Sequence, residues 1–234
     1  MRRAAPILAV LLLAILTACT SGPEDEDAGH TMLTVMVGND ATAAQKGVVE
    51  QRLRAMPSVE GVSFEDRKQA YENLRKDSPD LVAEVDPEHM PESFRATVTD
   101  PSVAEAIDLI MGTVDGVDSV ALIAADVDPR PSRIGLIVRL APTVTDEQRA
   151  AVETAVRALP DVESVEFEDR DAAHERLREQ CRGKGDLAAL LDRQVVRASL
   201  RLQLPLTGGS GLDLPELRGL AGVEAVRLVP TAMI

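Results

Sequence analysis

The chain has 234 residues, a net charge of −14 at neutral pH, a pI near 4.7, 45% hydrophobic residues and 2% aromatics. That apolar share is enough for one large or two small folded domains and excludes a wholly disordered chain. The acidic balance leaves no basic stripe for phosphates, and one Tyr and three Phe without any Trp leave few rings for base stacking, so nucleic-acid binding is excluded.

Arg2 and Arg3 precede an apolar run over residues 7–16, which ends in Leu16-Thr17-Ala18-Cys19. A run of about ten residues is too short to span a bilayer and has the proportions of a signal-peptide core. The Leu-x-Ala-Cys sequence resembles a bacterial lipoprotein box. That resemblance makes residues 1–18 a signal peptide and Cys19 the diacylated N-terminus of the mature chain. Two acyl chains, at about 0.8 kcal/mol per buried methylene, suffice for a stable membrane anchor. The expected location is therefore the extracytoplasmic face of the cell membrane. Residues 19–31 follow as an acidic, flexible tether. No later stretch is apolar and long enough to cross a membrane. Once Cys19 is lipidated, Cys181 is the only cysteine left, so no internal disulfide can form. A buried, inert thiol is expected there, the alternative being an exposed one.

The sequence then repeats itself. RAMPSVEGVSFEDR (54–67) aligns without a gap with RALPDVESVEFEDR (157–170), at an offset of about 103 residues. The match extends back to Thr42 and Gln45 against Thr145 and Gln148, and forward to Leu74-Arg75 against Leu177-Arg178. A short insertion around residues 181–185 interrupts it. Register then resumes, with Ser93-Phe94-Arg95 facing Ser199-Leu200-Arg201 and Gly116-Val117 facing Gly222-Val223.

Each copy carries the same elements in the same order. A first strand lies over 33–37 and again over 134–140. Thr42 with Gln45, and Thr145 with Gln148, form capping boxes that open a helix. Val49, Leu53 and Met56, like Val152, Val156 and Leu159, give that helix one apolar stripe, and Pro57 and Pro160 end it. Val59, Val62 and Phe64, and likewise Val162, Val165 and Phe167, lead into a second strand, with Phe64, Phe94 and Phe167 expected in the core. Asp66 and Asp169 are placed to cap a second helix. A third strand covers 94–99 and 200–204. Ser102 and Glu105 form another capping box before a helix lined by Val103, Ile107, Ile110 and Val114, which in copy two is reduced to about two turns over 214–220. A last strand runs over 117–123 and 223–229. The expected fold class is α+β: two tandem ferredoxin-like domains, over 32–124 and 133–234, joined by a proline-marked linker at 125–132. Between strands two and three of each, an insert too long for a turn is expected to form a small helical lobe.

Met90-Pro91-Glu92-Ser93-Phe94-Arg95 resembles the Leu-Pro-x-Ser-Phe-Arg signature of the extracellular domain of FtsX, the membrane protein of the bacterial cell-division transporter-like complex, and residues 40–66 resemble that domain's first helix and second strand. Copy two keeps only Ala198-Ser199-Leu200-Arg201 at the signature. The resemblance implies a helical lobe that presents apolar side chains to a coiled-coil or amphipathic helix of a peptidoglycan hydrolase or division-complex protein. It departs from that family in lacking the permease's membrane helices. The implied partner-binding residues are Tyr71, Leu74, Leu81, Val82, Val85 and Met90 in copy one, and Leu177, Leu187, Leu190 and Leu191 in copy two. A helix pair this small cannot hide all of them, and exposed apolar patches mark protein contacts.

Catalytic chemistry is not expected. No Ser–His–Asp or Cys–His constellation stands out, and Gly208-Gly209-Ser210-Gly211 is followed by no Lys-Ser/Thr of a phosphate loop. Asp86, Glu88, His89 and Glu92 contain the donors of a divalent-cation site but read better as solvated residues flanking Pro87 and Pro91, so no metal or cofactor is assigned. The competing reading is a small-ligand-binding module made of paired ferredoxin-like sheets.

Overall fold

The computed structural model describes residues 31–82, 85–124, 133–162, 164–205 and 214–234. The expected signal peptide, Cys19, most of the tether and the 125–132 linker lie outside them. Copy one comprises β1 (Thr31–Val37), α1 (Ala43–Ala55), β2 (Val59–Glu65), α2 (Arg67–Asp77), α3 (Pro79–Val82), β3 (Glu92–Val98), α4 (Ala104–Met111) and β4 (Val117–Ala124). Copy two comprises β5 (Arg133–Leu140), α5 (Asp146–Arg157), β6 (Glu166–Glu168), α6 (Arg170–Gln180), α7 (Leu187–Leu190), β7 (Ser199–Pro205), α8 (Leu214–Gly219) and β8 (Val223–Val229).

The two sheets have the orders β2-β3-β1-β4 and β6-β7-β5-β8, with every neighbouring pair antiparallel. This is the strand order of a ferredoxin-like fold. The duplication extends to single residues. Val35 stands opposite Phe94 and Val120, and Val138 stands opposite Leu200 and Val226. Ser58 and Asp161, at matching turns after the first helix, both adopt a left-handed backbone, with φ of 62° and 59°.

Local sequence accounts for most of the elements. The Thr42–Gln45 and Thr145–Gln148 capping boxes both form. Alternation sends Leu33, Val35, Phe94 and Ala96 to one face of the first sheet, where Val49 and Leu53 of α1 and Ile107 and Ile110 of α4 cover them. Leu136, Val138, Leu200 and Leu202 do the same beneath Val152 and Val156 of α5 and Leu217 of the short α8.

Three expectations need correction. β6 is only three residues long, without Val162 and Val165. Phe94 is buried, but Phe64 and Phe167 are 40% and 38% exposed, because they sit on the edge strands β2 and β6, beyond which no further strand pairs among the described residues. A cation from the first helix instead roofs each ring, with Lys46 5.7 Å from Phe64 and the Arg149 guanidinium 4.7 Å from Phe167. The Ser102–Glu105 box does not form. Asp100 caps the 3-10 turn Pro101–Val103, accepting from the Ser102 N–H, and Glu105 points elsewhere.

Candidate functional site

Both inserts are helical lobes, and a side chain of each second helix bonds a carboxylate on the edge strand, Asn73 to Glu65 in copy one and Arg176 to Glu168 in copy two. In copy one, the Asp66 side chain accepts the Gln69 N–H, and the Gln69 side chain accepts the Asp66 N–H, to start α2. Ala70 and Leu74 then bury a small cluster with Met90, against which Tyr71 and Val85 are half-buried. Polar groups tie α2 to the sheet: Asn73 Nδ2 donates to Glu65 Oε1 at 2.6 Å, and Arg95 Nη2 donates to Glu65 Oε2 at 2.8 Å.

Copy two repeats this arrangement with the corresponding residues. Arg176 stands where Asn73 does and donates to Glu168, the counterpart of Glu65, at 2.6 and 2.9 Å. Arg201, the counterpart of Arg95, reaches Glu168 at 3.4 Å. One component, however, comes from copy one. Every residue of α4 is buried, because one side of that helix faces the first sheet and the other lies on the open face of the second. Its Glu105 accepts two hydrogen bonds from Arg201, at 3.0 and 3.1 Å, and pairs with Arg176 at 3.1 Å. Asp108, one turn on, pairs with Arg139, and its other oxygen lies 3.6 Å from Arg227 Nε. Burial works to raise the Glu105 carboxyl, but the Arg201 and Arg176 charges outweigh it and hold the group below its ordinary value.

Apolar side chains seal the same contact. Ala173, Leu177, Cys181, Leu187, Leu191 and Val196 share one continuous core with Ile107 and Met111 of copy one. The insertion that interrupts the repeat belongs to this interface. Lys184 pairs with Asp100, and Gly185 sits so close to Pro57 that an added Cβ would lie 2.9 Å from it. Gly135 is required for a similar reason, since a Cβ there would lie 2.5 Å from the Ile234 side chain, which packs over β5. Burial pushes the Cys181 thiol up and leaves it protonated.

The partner-binding residues expected from sequence therefore separate. In copy two, Leu177, Leu187 and Leu191 are interior and Leu190 is half-buried against them, in one core with Ile107 and Met111 of α4. In copy one, Tyr71 and Val85 are half-buried, Leu74 and Met90 lie just beneath, and the side chains of Leu81 and Val82 fall outside the described residues. The candidate cation donors disperse: Glu92 pairs with Lys46, and Asp86 caps the 3-10 turn Pro87–His89 with its Oδ2 2.9 Å from His89 Nδ1. Among the described residues, no group of three His, Cys, Asp or Glu is placed to hold a metal.

Glu105, Asp108, Arg139 and Arg201 are the residues that sequence reasoning missed. A signal was present. Arg139 interrupts the apolar strand Ile-Gly-Leu-Ile-Val-Arg-Leu, and two acids interrupt the apolar helix Ala-Glu-Ala-Ile-Asp-Leu-Ile-Met. Charges in otherwise buried elements need partners.

The family model described as the FtsX extracellular domain matches residues 31–129 and again 133–230. No curated protein sequence matches the chain. Among the described residues no helix is long and apolar enough to cross a membrane. The chain belongs to the FtsX extracellular-domain family, a division-related domain that it carries twice in tandem.

Proposed function

We propose that the chain is an adaptor at the extracytoplasmic face of the cell membrane, held there by lipid on Cys19, without catalytic activity of its own. Through the copy-one lobe it binds a peptidoglycan hydrolase or another protein of the division complex. Tyr71, Leu74, Leu81, Val82, Val85 and Met90 form the contact surface in this reading, and copy two serves as its rigid support. The observation that carries the reading is the contrast between the lobes. With a helix against it, the Arg201 side chain is 6% exposed, whereas its counterpart Arg95 is 39% exposed. Membership of the FtsX extracellular-domain family supports the link to division. The ligand-module alternative needs the two sheets to face each other across a pocket, but α4 fills the open face of the second sheet with its own side chains.

The test is site-specific photocrosslinking in growing cells, with the photoreactive residue at Tyr71 and, as its counterpart, at His174. Adducts to an envelope hydrolase or division protein are expected from position 71 and not from 174. If position 71 yields no such adduct in dividing cells, the adaptor reading is wrong.

A further inference from the structure

The second sheet carries a slot that another part of the chain fills, and from it we infer that residues 231–234 are a clasp. This detachable strap closes over the joint between the two copies, keeps water from its buried ion pairs, and opens while both sheets stay folded. It does so whatever the copy-one lobe binds.

The slot comes from a departure between the copies. Met32 in β1 and Gly135 in β5 are equivalent positions: Met32 is opposite Thr97 and Ile123, and Gly135 is opposite Gln203 and Val229. Copy one has a methionine side chain at this place. In copy two a Cβ on Gly135 would lie 2.5 Å from Ile234 and 2.8 Å from Val229. A glycine inside a strand costs backbone entropy and brings no packing of its own. Here it admits the Ile234 side chain, which takes the place of Met32.

The strap is a small folded unit that bridges the joint. The Met233 N–H donates to the Pro230 carbonyl at 3.0 Å and the Ile234 N–H to the Thr231 carbonyl at 3.1 Å, closing the 3-10 turn Thr231–Met233. That turn lies against β5 of copy two and against the 3-10 turn Pro101–Val103 of copy one. Met233 is buried in the core that also holds Val103, Ile107 and Ile137, and Ile234 is half-buried at its margin. Arg201 donates to the Met233 carbonyl with the same guanidinium that grips Glu105.

This arrangement keeps the cost of opening low. The turn carries its own hydrogen bonds with it, and Arg201 retains Glu105 and Glu168 when the carbonyl leaves, so opening orphans no buried charge. What is lost is the apolar burial of Met233 and Ile234. Water then reaches the Glu105–Arg201 pair, where a higher dielectric weakens the attraction. Closed, the strap stiffens the joint. Open, it lets α4 and the copy-two lobe part while β5 and β7 remain paired.

Amide exchange of the native full chain under two substitutions tests the clasp. Gly135→Met puts copy one's side chain into the slot against Ile234, and Ile234→Gly strips the strap of its anchor. Each single change should speed exchange in α4 and α6 about tenfold, the worth of one partly buried isoleucine, with β5 and β7 as protected as before. Together they should restore most of the protection, because the methionine then lies in space that Ile234 has vacated, as in copy one. Ile234→Gly leaves β5 unaltered, so it reads the strap even where Gly135→Met disturbs the strand. Unchanged exchange of α4 and α6 in Ile234→Gly would overturn the inference, as would a double variant whose losses simply add. Loss of β5 and β7 protection in Ile234→Gly would overturn it too, since the strap would then belong to the core of the sheet itself.

Discussion

Replacing Glu105 by alanine is expected to destabilise the chain by about 3–5 kcal/mol, because it strips the counter-charge from buried guanidinium groups while they remain desolvated. Arg201 and Arg176 converge on that carboxylate at 3.0–3.1 Å, and among the described residues Glu168 is the one carboxylate left to balance both. Urea denaturation of the full chain measures the loss. The double variant Glu105→Leu, Arg201→Met should recover much of it, since an apolar pair of similar volume needs no hydration to be stripped. The pair is also sensitive to acid, and the direction follows from the shift. Because folding holds the Glu105 carboxyl below its ordinary value of 4.5, the contribution is complete above that pH and is lost as pH falls through it toward the lower folded-state value. Acid should therefore loosen the contact between the two copies first. The Glu105→Ala variant should lack that part of the pH dependence.

The second large effect distinguishes the two lobes at equivalent positions. Leu177→Ala is expected to cost about 3–5 kcal/mol, since Leu177 is wholly buried in a core built from both copies and the cavity has little freedom to collapse. Leu74→Ala, at the matching residue of copy one, should cost about 2 kcal/mol, because its cluster is small and lies close to solvent. Cys181 shares the core with Leu177 and should become reactive to thiol reagents in Leu177→Ala but not in Leu74→Ala. Equal losses at the two sites would mean that copy two's lobe is no more enclosed than copy one's.

Much of the fold was legible because its causes are local. Thr42 with Gln45, Thr145 with Gln148, the exits at Pro57 and Pro160, and the period of Val49 and Leu53 each specify an element within a few residues. Phe64 and Phe167 were misplaced because hydrophobicity does not reveal which strand is at the edge of a sheet. That depends on strand order, a property of the assembled sheet. Ser102 and Glu105 have the spacing of a capping box, yet two guanidinium groups from copy two compete for the carboxylate and a neighbouring Asp100 takes over the capping. The joint between the copies was not legible for the same reason. Its partners are far apart in sequence, and the residues at 181–185 that look like an interruption of the repeat are the ones that touch Asp100 and Pro57. The lobes look alike in sequence, and the copy-two lobe is packed against a helix, α4, that also serves the first sheet.

Native-state amide hydrogen exchange on the full chain tests most directly whether one lobe is filled and the other open. The account predicts that α6 exchanges nearly as slowly as the strands of its sheet, that α2 exchanges through local opening orders of magnitude faster, and that Glu105→Ala selectively speeds α6. Matching protection in α2 and α6, unchanged by Glu105→Ala, would contradict it.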